Sequence, residues 1–302
     1  FSGLNQEIWT DVLVKQFRRA EEASFLNEIP DESRFVMAGR GMNDIIHLVD
    51  VGVDPQVLIN TTTYPLPVVN QTDGDIPISL DKYQTEVTAV TEDELEYIAY
   101  DKIALVQEKH SKAVIRERGK KAIHSLAPAS DTANTPVMVT TGSPDASGRK
   151  KMTYKDLIAF KRKVDDAGVD EDGRILVLCS DHYNDLLEDP DTKNVFSGQF
   201  QNEASGRLNQ MLAGFKIYWY NLNPYYTALT KTKLAYGAIP AAGDYKASVF
   251  FKADDMFRAA GRTKNYAKQP EPRTQQWEYN IRHNYIVLPR KQRAIGAIVS
   301  TN

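Results

Sequence analysis

Residues 91–126 constrain this chain more than any other stretch. Leu95, Ile98, Ala99, Ile103, Val106, Ala113 and Val114 recur at helical spacing. Thr91 with Glu94 has the spacing of a capping box. Acidic residues lead (Glu92, Asp93, Glu94, Glu96) and basic ones close the segment (Arg116, Arg118, Lys120, Lys121), which suits the helix dipole at both ends. Pro128 ends it. About 35 residues at 1.5 Å each make a helix of roughly 50 Å, far beyond the globular average of about 11–12 residues. Such a helix crosses the whole body, so the remaining elements must be built along it. Gly119 is the one local conflict and is expected to mark a kink.

Two unusual segments precede this helix. Residues 4–28 read as an amphipathic helix carrying Leu4, Ile8, Val12 and Phe17, stopped by Pro30. Trp9, Leu13, Phe25 and Leu26 widen its apolar surface, so it must dock, either on its own domain or across a neighbouring subunit. Residues 45–90 are rich in β-formers, with Ile76, Ile78 and Leu80 alternating. Asp73-Gly74 is a hairpin-turn pair, and the expectation is one long hairpin with its tip near 70–76. Pro65, Pro67 and Pro77 confine such strands to edges or exposed ribbons. An isolated hairpin is marginal in water, so this arm needs a surface to lie on.

The second half reads as α/β. A strand at 136–140 precedes a linker-like stretch at 143–148. Thr153 and Asp156 open a helix ended by Gly168, and an acidic turn, Asp170-Glu171-Asp172-Gly173, leads to an apolar strand at 175–178. Ser180 or Asp181 is expected to cap the next helix. Residues 204–214 read as helix. Strands are expected at 215–220, 248–251, 277–287 and 294–299.

The 302 residues are 42% hydrophobic and 25% charged, a globular composition. The net charge of −3 argues against a sequence-independent DNA coat. No apolar run approaches the ~20 residues a membrane helix needs. Nothing near Phe1 reads as a signal peptide. Cys179 is the single cysteine, so neither an internal disulfide nor a multi-cysteine zinc site is possible. Gly39-Arg40-Gly41 lacks the rest of a phosphate-binding loop. Of the five histidines, His110 and His124 share the long helix but stand about four turns apart, too far to share a metal. Cys179 ends an apolar strand and reads as a small buried hydrophobe. Asp181-His182, at the end of that strand, is the least unpromising place for catalysis, although an N-cap and a first-turn residue explain both. No catalytic, cofactor-binding or metal-binding residue is assigned.

The order of elements is more specific than any motif. An apolar arm, a long hairpin and a very long helix precede an α/β part, a long return strand and a closing segment. This order resembles the major capsid proteins of tailed bacteriophages, the α+β Hong Kong-97-type fold. Residues 157–169, 173–178 and 182–187 look like that family's entry to its axial domain, 212–218 like the strand after the axial loop, and 247–251, 285–289 and 293–298 like its last strands. The resemblance implies an N-terminal arm (1–44), an extended loop (45–90) and a peripheral domain (91–152) with spine helix 91–126. It then implies an axial domain (153–248), return strands (249–287) and a closing segment (288–302). It also implies self-assembly into hexamers and pentamers of an icosahedral virion shell around double-stranded DNA, built in the host cytoplasm. Implied partners are neighbouring copies, portal and scaffolding proteins, and decoration proteins, with no membrane and no sequence-specific DNA contact. Encapsulin cargo shells share the fold, and a soluble α/β enzyme is the competing class. Trp9, Phe17, Asp73, Gly74, Asp75, Arg116, Arg118, Lys120 and Lys121 are the expected subunit contacts, with the acidic turn 170–172 as an opposite charge.

Overall fold

The long helix is the frame on which the sheets are hung. The structure, a computed structural model, describes residues 23–38, 44–50, 74–91, 102–192, 211–271, 273–290 and 292–302. Helix α1 is Lys102–Leu126, with Val114, Ile115, Ala122, Ile123 and Leu126 turned inward. Thr91 lies in a strand opposite Gln276, and Glu94, with the rest of the expected helix start at 92–101, is outside the described residues. Gly119 sits inside the helix at a point of close approach, where a Cβ would lie 2.6 Å from the Tyr220 hydroxyl and 3.2 Å from Ala23.

The first sheet is β1 (Val36–Ala38), β2 (Asp44–Asp50) and β3 (Gly74–Ser79), all antiparallel. Strands β2 and β3 are the two sides of a hairpin, but the expected turn is corrected. Gly74 pairs with Asp50 and Asp75 with Val49, so both lie within strand β3 and Asp73-Gly74 cannot be a two-residue turn. Pro77 is tolerated because β3 is an outer strand. The return side also ends earlier than expected. Strands β4 (Asp81–Gln84) and β5 (Thr88–Thr91) leave the hairpin for another sheet.

That second sheet is a peripheral layer. Strands β13 (Met256–Lys268) and β14 (Gln276–Pro289) form a long antiparallel pair, and β4 and β5 follow one another along β14. Helix α1 packs on it through Val114 and Ile115 against Tyr279 and Ile281.

The third sheet has eight strands among the described residues: β6 (Val137–Val139), β7 (Arg174–Leu178), β8 (Met211–Leu212), β9 (Phe215–Trp219), β10 (Tyr225–Thr227), β11 (Thr232–Lys233), β12 (Asp244–Lys252) and β15 (Ile295–Val299). Strand β12 is its hub. Asp244–Lys246 pair with β10, Ala247–Phe251 with β15, and Val249–Lys252 with β7. The β7–β9 and β15–β6 pairs are parallel. Every residue of β7 is buried, as expected for a strand covered on both faces. Helices α2 (Tyr154–Asp166) and α3 (Ser180–Glu188) supply Phe160, Val164 and Leu186 to a core with Phe215 and Phe250. Phe250 meets Phe160 and Phe215 edge-on at 5.8 and 5.5 Å, a favourable arrangement of ring quadrupoles.

Local chemistry explains the ends of these elements. Thr153 and Asp156 form both hydrogen bonds of the capping box on α2. Helix α3 begins at Ser180 with Cys179 at the N-cap and no side-chain cap, so neither Ser180 nor Asp181 caps it. Residues 211–214 are not helical. Met211–Leu212 is strand, and Ala213-Gly214 at φ 51° and 82° turns the chain back into β9. Strand β6, assigned from sequence to the peripheral part, belongs to the eight-stranded sheet. At the N-terminus, Ser24–Glu28 is a 3-10 turn rather than the end of an α-helix. The rest of the expected helix 4–28, with Trp9 and Phe17, lies outside the described residues. Phe25 docks on the chain's own core, edge-on to Tyr220 at 5.4 Å and Phe251 at 6.1 Å.

Candidate assembly surfaces

The base of the hairpin is anchored by one buried carboxylate. In strand β13 the register shifts between Ala260 and Thr263, leaving Gly261 and Arg262 out of the ladder. The freed Arg262 backbone N–H donates to Asp44 Oδ2 at 2.7 Å and its Nε to Oδ1 at 2.8 Å. Asn284 Nδ2 donates to Oδ2 at 2.8 Å, and the Leu80 N–H to the Asp44 carbonyl at 2.9 Å. Burial pushes the Asp44 pKa up, but the Arg262 backbone, the Asn284 amide and the Arg262 guanidinium outweigh it and hold the carboxyl below its ordinary value. A Cβ at Gly261 would fall 2.2 Å from Asp44 Oδ2, so only glycine fits there. Ile46 and Leu80 pack beside this anchor on Phe257, Ala259 and Ile286. Asp44→Ala is expected to cost about 1.5–3 kcal/mol, the range for hydrogen bonds to a charged group. Gly261→Ala is expected to cost a similar amount, and the double variant little more than either, because both break one site. Urea titrations of the three variants check this, and simple additivity would reject the shared anchor.

The basic end of α1 divides into unlike parts. Arg116 is exposed, but Arg118 is buried, its guanidinium 4.6 Å from the centre of the Tyr285 ring. Arg118 is therefore withdrawn from the expected contact surface. Lys120 and Lys121 flank Tyr236 at 5.3 and 4.8 Å, and the Tyr236 hydroxyl donates to Glu117 at 2.8 Å. Lys233 donates to the His124 and Ala127 carbonyls at 2.8 and 2.6 Å, capping the helix C-terminus. Burial, with Lys121 nearby, lowers the Lys233 pKa to about 8. Of the other expected contacts, Gly74 and Asp75 lie in β3, and Asp73 is outside the described residues.

A surface the sequence reading passed over lies beside this clamp. Residues 235–242 are all exposed and none is charged. Leu229 and Ile239 are 93% and 91% exposed. The available signal was eight consecutive uncharged residues inside a segment read only as turn-rich.

The Asp181-His182 position is a packing device. His182 is fully buried, with its ring nitrogens 2.7 Å from Ser248 Oγ and 2.9 Å from Ser300 Oγ. It ties α3 to β12 and to the chain end. Burial pushes the Cys179 thiol up to about 11, far from a reactive thiolate. Arg149 grips Asp185 with two hydrogen bonds, at 2.7 and 2.8 Å. Burial lowers the pKa of His182 to about 4 and that of His283 to about 3, with Arg118 adding to the effect at His283. Both rings are neutral when folded, so the unfolded chain takes up protons first as pH falls. Their stabilisation is complete above about 6.5 and is lost as pH falls towards the folded values. Thermal melts between pH 7 and pH 4.5 are expected to show a steep loss that His182→Asn makes shallower. Among the described residues no group of three His, Cys, Asp or Glu side chains could hold a metal ion, and no helix is long and apolar enough to cross a membrane.

Residues 73–299 match the family model described as phage capsid protein. This chain belongs to the phage capsid protein family. Solved structures agree. The chain of Mycobacterium phage Che8 superposes with a TM-score of 0.62 at 16% identity, covering 91% of this chain and 90% of that one. The capsid of cyanophage P-SCSP1u gives 0.65 at 14%, covering 90% and 86%. The capsid of a native GTA particle gives 0.58 at 11%, covering 93% and 90%. No curated protein matches the chain. The fold is thus α+β of the Hong Kong-97 type, and the chain is a structural major capsid protein of an icosahedral phage shell, located in the virion capsid.

Proposed function

We propose that this capsid subunit builds hexameric and pentameric capsomers that close around double-stranded DNA in the cytoplasm of a host bacterium. The observation that carries this reading is the family match across residues 73–299. The net charge of −3 supports enclosure of DNA without a tight or sequence-specific grip. Portal, scaffolding and decoration proteins are the further partners, and the subunit has no catalytic turnover. The working division is an arm ahead of β1, an extended loop that includes β1, β2 and β3, a peripheral part with β4, β5, α1, β13 and β14, and an axial part with the eight-stranded sheet, a grouping that strand pairing supports. Native mass measurement and negative-stain microscopy of the purified protein should show capsomers or closed shells. A strictly monomeric species at every concentration and salt would reject the proposal.

A further inference from the structure

Strand β12 joins two surfaces of opposite character. Beyond its Asp244 end lies the apolar loop, with Leu229 and Ile239 almost entirely free of contacts within the chain. The loop is held in shape. Leu234 N donates to the Tyr225 carbonyl at 3.0 Å, Ala238 N to the Ala235 carbonyl at 3.1 Å and Ala241 N to Asp244 Oδ2 at 2.8 Å. Tyr236 is clamped as described above. Of its own lysines, Lys231 is bound to Asp131 and Lys233 to the helix end; three others stand around it, Lys120 and Lys121 at Tyr236 and Lys246 at 5.9 Å from the Tyr225 ring.

At the Lys252 end the character reverses. Asp170, Glu171 and Asp172 form an exposed turn, with Asp254 exposed beside it. Lys252 reaches Asp170 at 2.6 Å and Lys161 reaches Glu171 at 3.2 Å, which fixes the turn while leaving the Asp170 and Glu171 side chains 80% and 75% exposed. The length of β12, at about 3.4 Å per residue, separates the two ends by roughly 30 Å.

Two unlike patches can pair twice across a two-fold axis or once head to tail, and the shell-forming reading above selects the head-to-tail arrangement. A head-to-tail contact whose rotation closes makes a ring. We propose that the loop at 229–242 of one subunit docks on the acidic turn 170–172 of a second copy, and that this contact closes the capsomer ring. In this contact Ile239 and Leu229 would supply the buried apolar area, and the lysines around the loop would set register against the acidic turn and steer encounter. Because the loop is already ordered, docking costs little conformational entropy. The inference rests on the shell-forming reading above.

Thiol trapping tests it. Cys179 is fully buried, so introduced cysteines report alone. The double variant Ile239→Cys with Asp172→Cys, oxidised mildly during assembly, should give a ladder of covalent oligomers on a non-reducing gel. Each single variant should stay at the monomer band. A double variant that gives no more ladder than the singles, while microscopy still shows shells, overturns this contact and leaves the shell reading standing. Failure of the wild-type protein to assemble at all would remove both. As a second measure, Leu229→Ser with Ile239→Ser should keep its circular dichroism spectrum and assemble at least tenfold more slowly. An unchanged rate rejects the proposal.

Discussion

Arg118→Glu is expected to cost about 3–5 kcal/mol, enough to unfold a large share of the subunit. Arg116→Glu, two residues earlier, should stay within about 0.5 kcal/mol of the parent. The difference follows from position on one helix. Arg116 faces solvent. Arg118 is 5% exposed, and its guanidinium lies on the face of the Tyr285 ring, where the quadrupole favours a cation. A glutamate there sets a carboxylate against that face and buries a charge of the wrong sign. Arg118→Met, which keeps much of the stem's packing without the charge, should fall between the two. Urea denaturation followed by circular dichroism ranks the three. Equal stability of Arg118→Glu and Arg116→Glu would show that the buried placement of Arg118 is wrong.

Arg118 also shows where sequence stops being informative. Four basic residues at a helix end look alike on paper, and only the partner strand decides which one turns inward. Local signals were readable. The capping box at Thr153 and Asp156, the apolar run 175–178 and the return strand near 277–287 are coded by neighbouring residues. Pairing was not. Residues 81–91 continue the β-rich composition of the hairpin, yet they pair with β14, almost two hundred residues away in sequence. Strand β13 was not singled out because its outer half, Arg262–Lys268, is largely exposed and shows no clean alternation. Residues 211–214 carry the helix-forming Met, Leu and Ala, but a positive φ at Ala213 and Gly214 imposes a turn. The Asp44 anchor was invisible for the same reason as the pairing. It depends on a bulge in β13, some 218 positions along the chain.

Removing residues 51–73, between strands β2 and β3, should separate folding from assembly. Asp50 and Gly74 are direct partners in the β2–β3 ladder. Residues 51–73 can therefore be replaced by Asn-Gly, which closes such a pair as a type I′ turn matched to strand twist. The shortened hairpin keeps Asp44 with its bonds to Arg262 and Asn284, and it keeps Ile46 and Leu80 on the four-stranded sheet. Its melting temperature should therefore stay within a few degrees of the parent, since ~1 kcal/mol moves a protein of this size by only about 2–4 °C. If residues 51–73 carry the proposed contact with a neighbouring subunit, closed shells should disappear. Sedimentation would then show free subunits or single capsomers under conditions where the parent forms shells. Shells of normal yield from the shortened chain would mean that residues 51–73 carry no assembly contact. A collapse in melting temperature would mean that those residues pack into the subunit's own core, and the arm reading of the segment would fall with it.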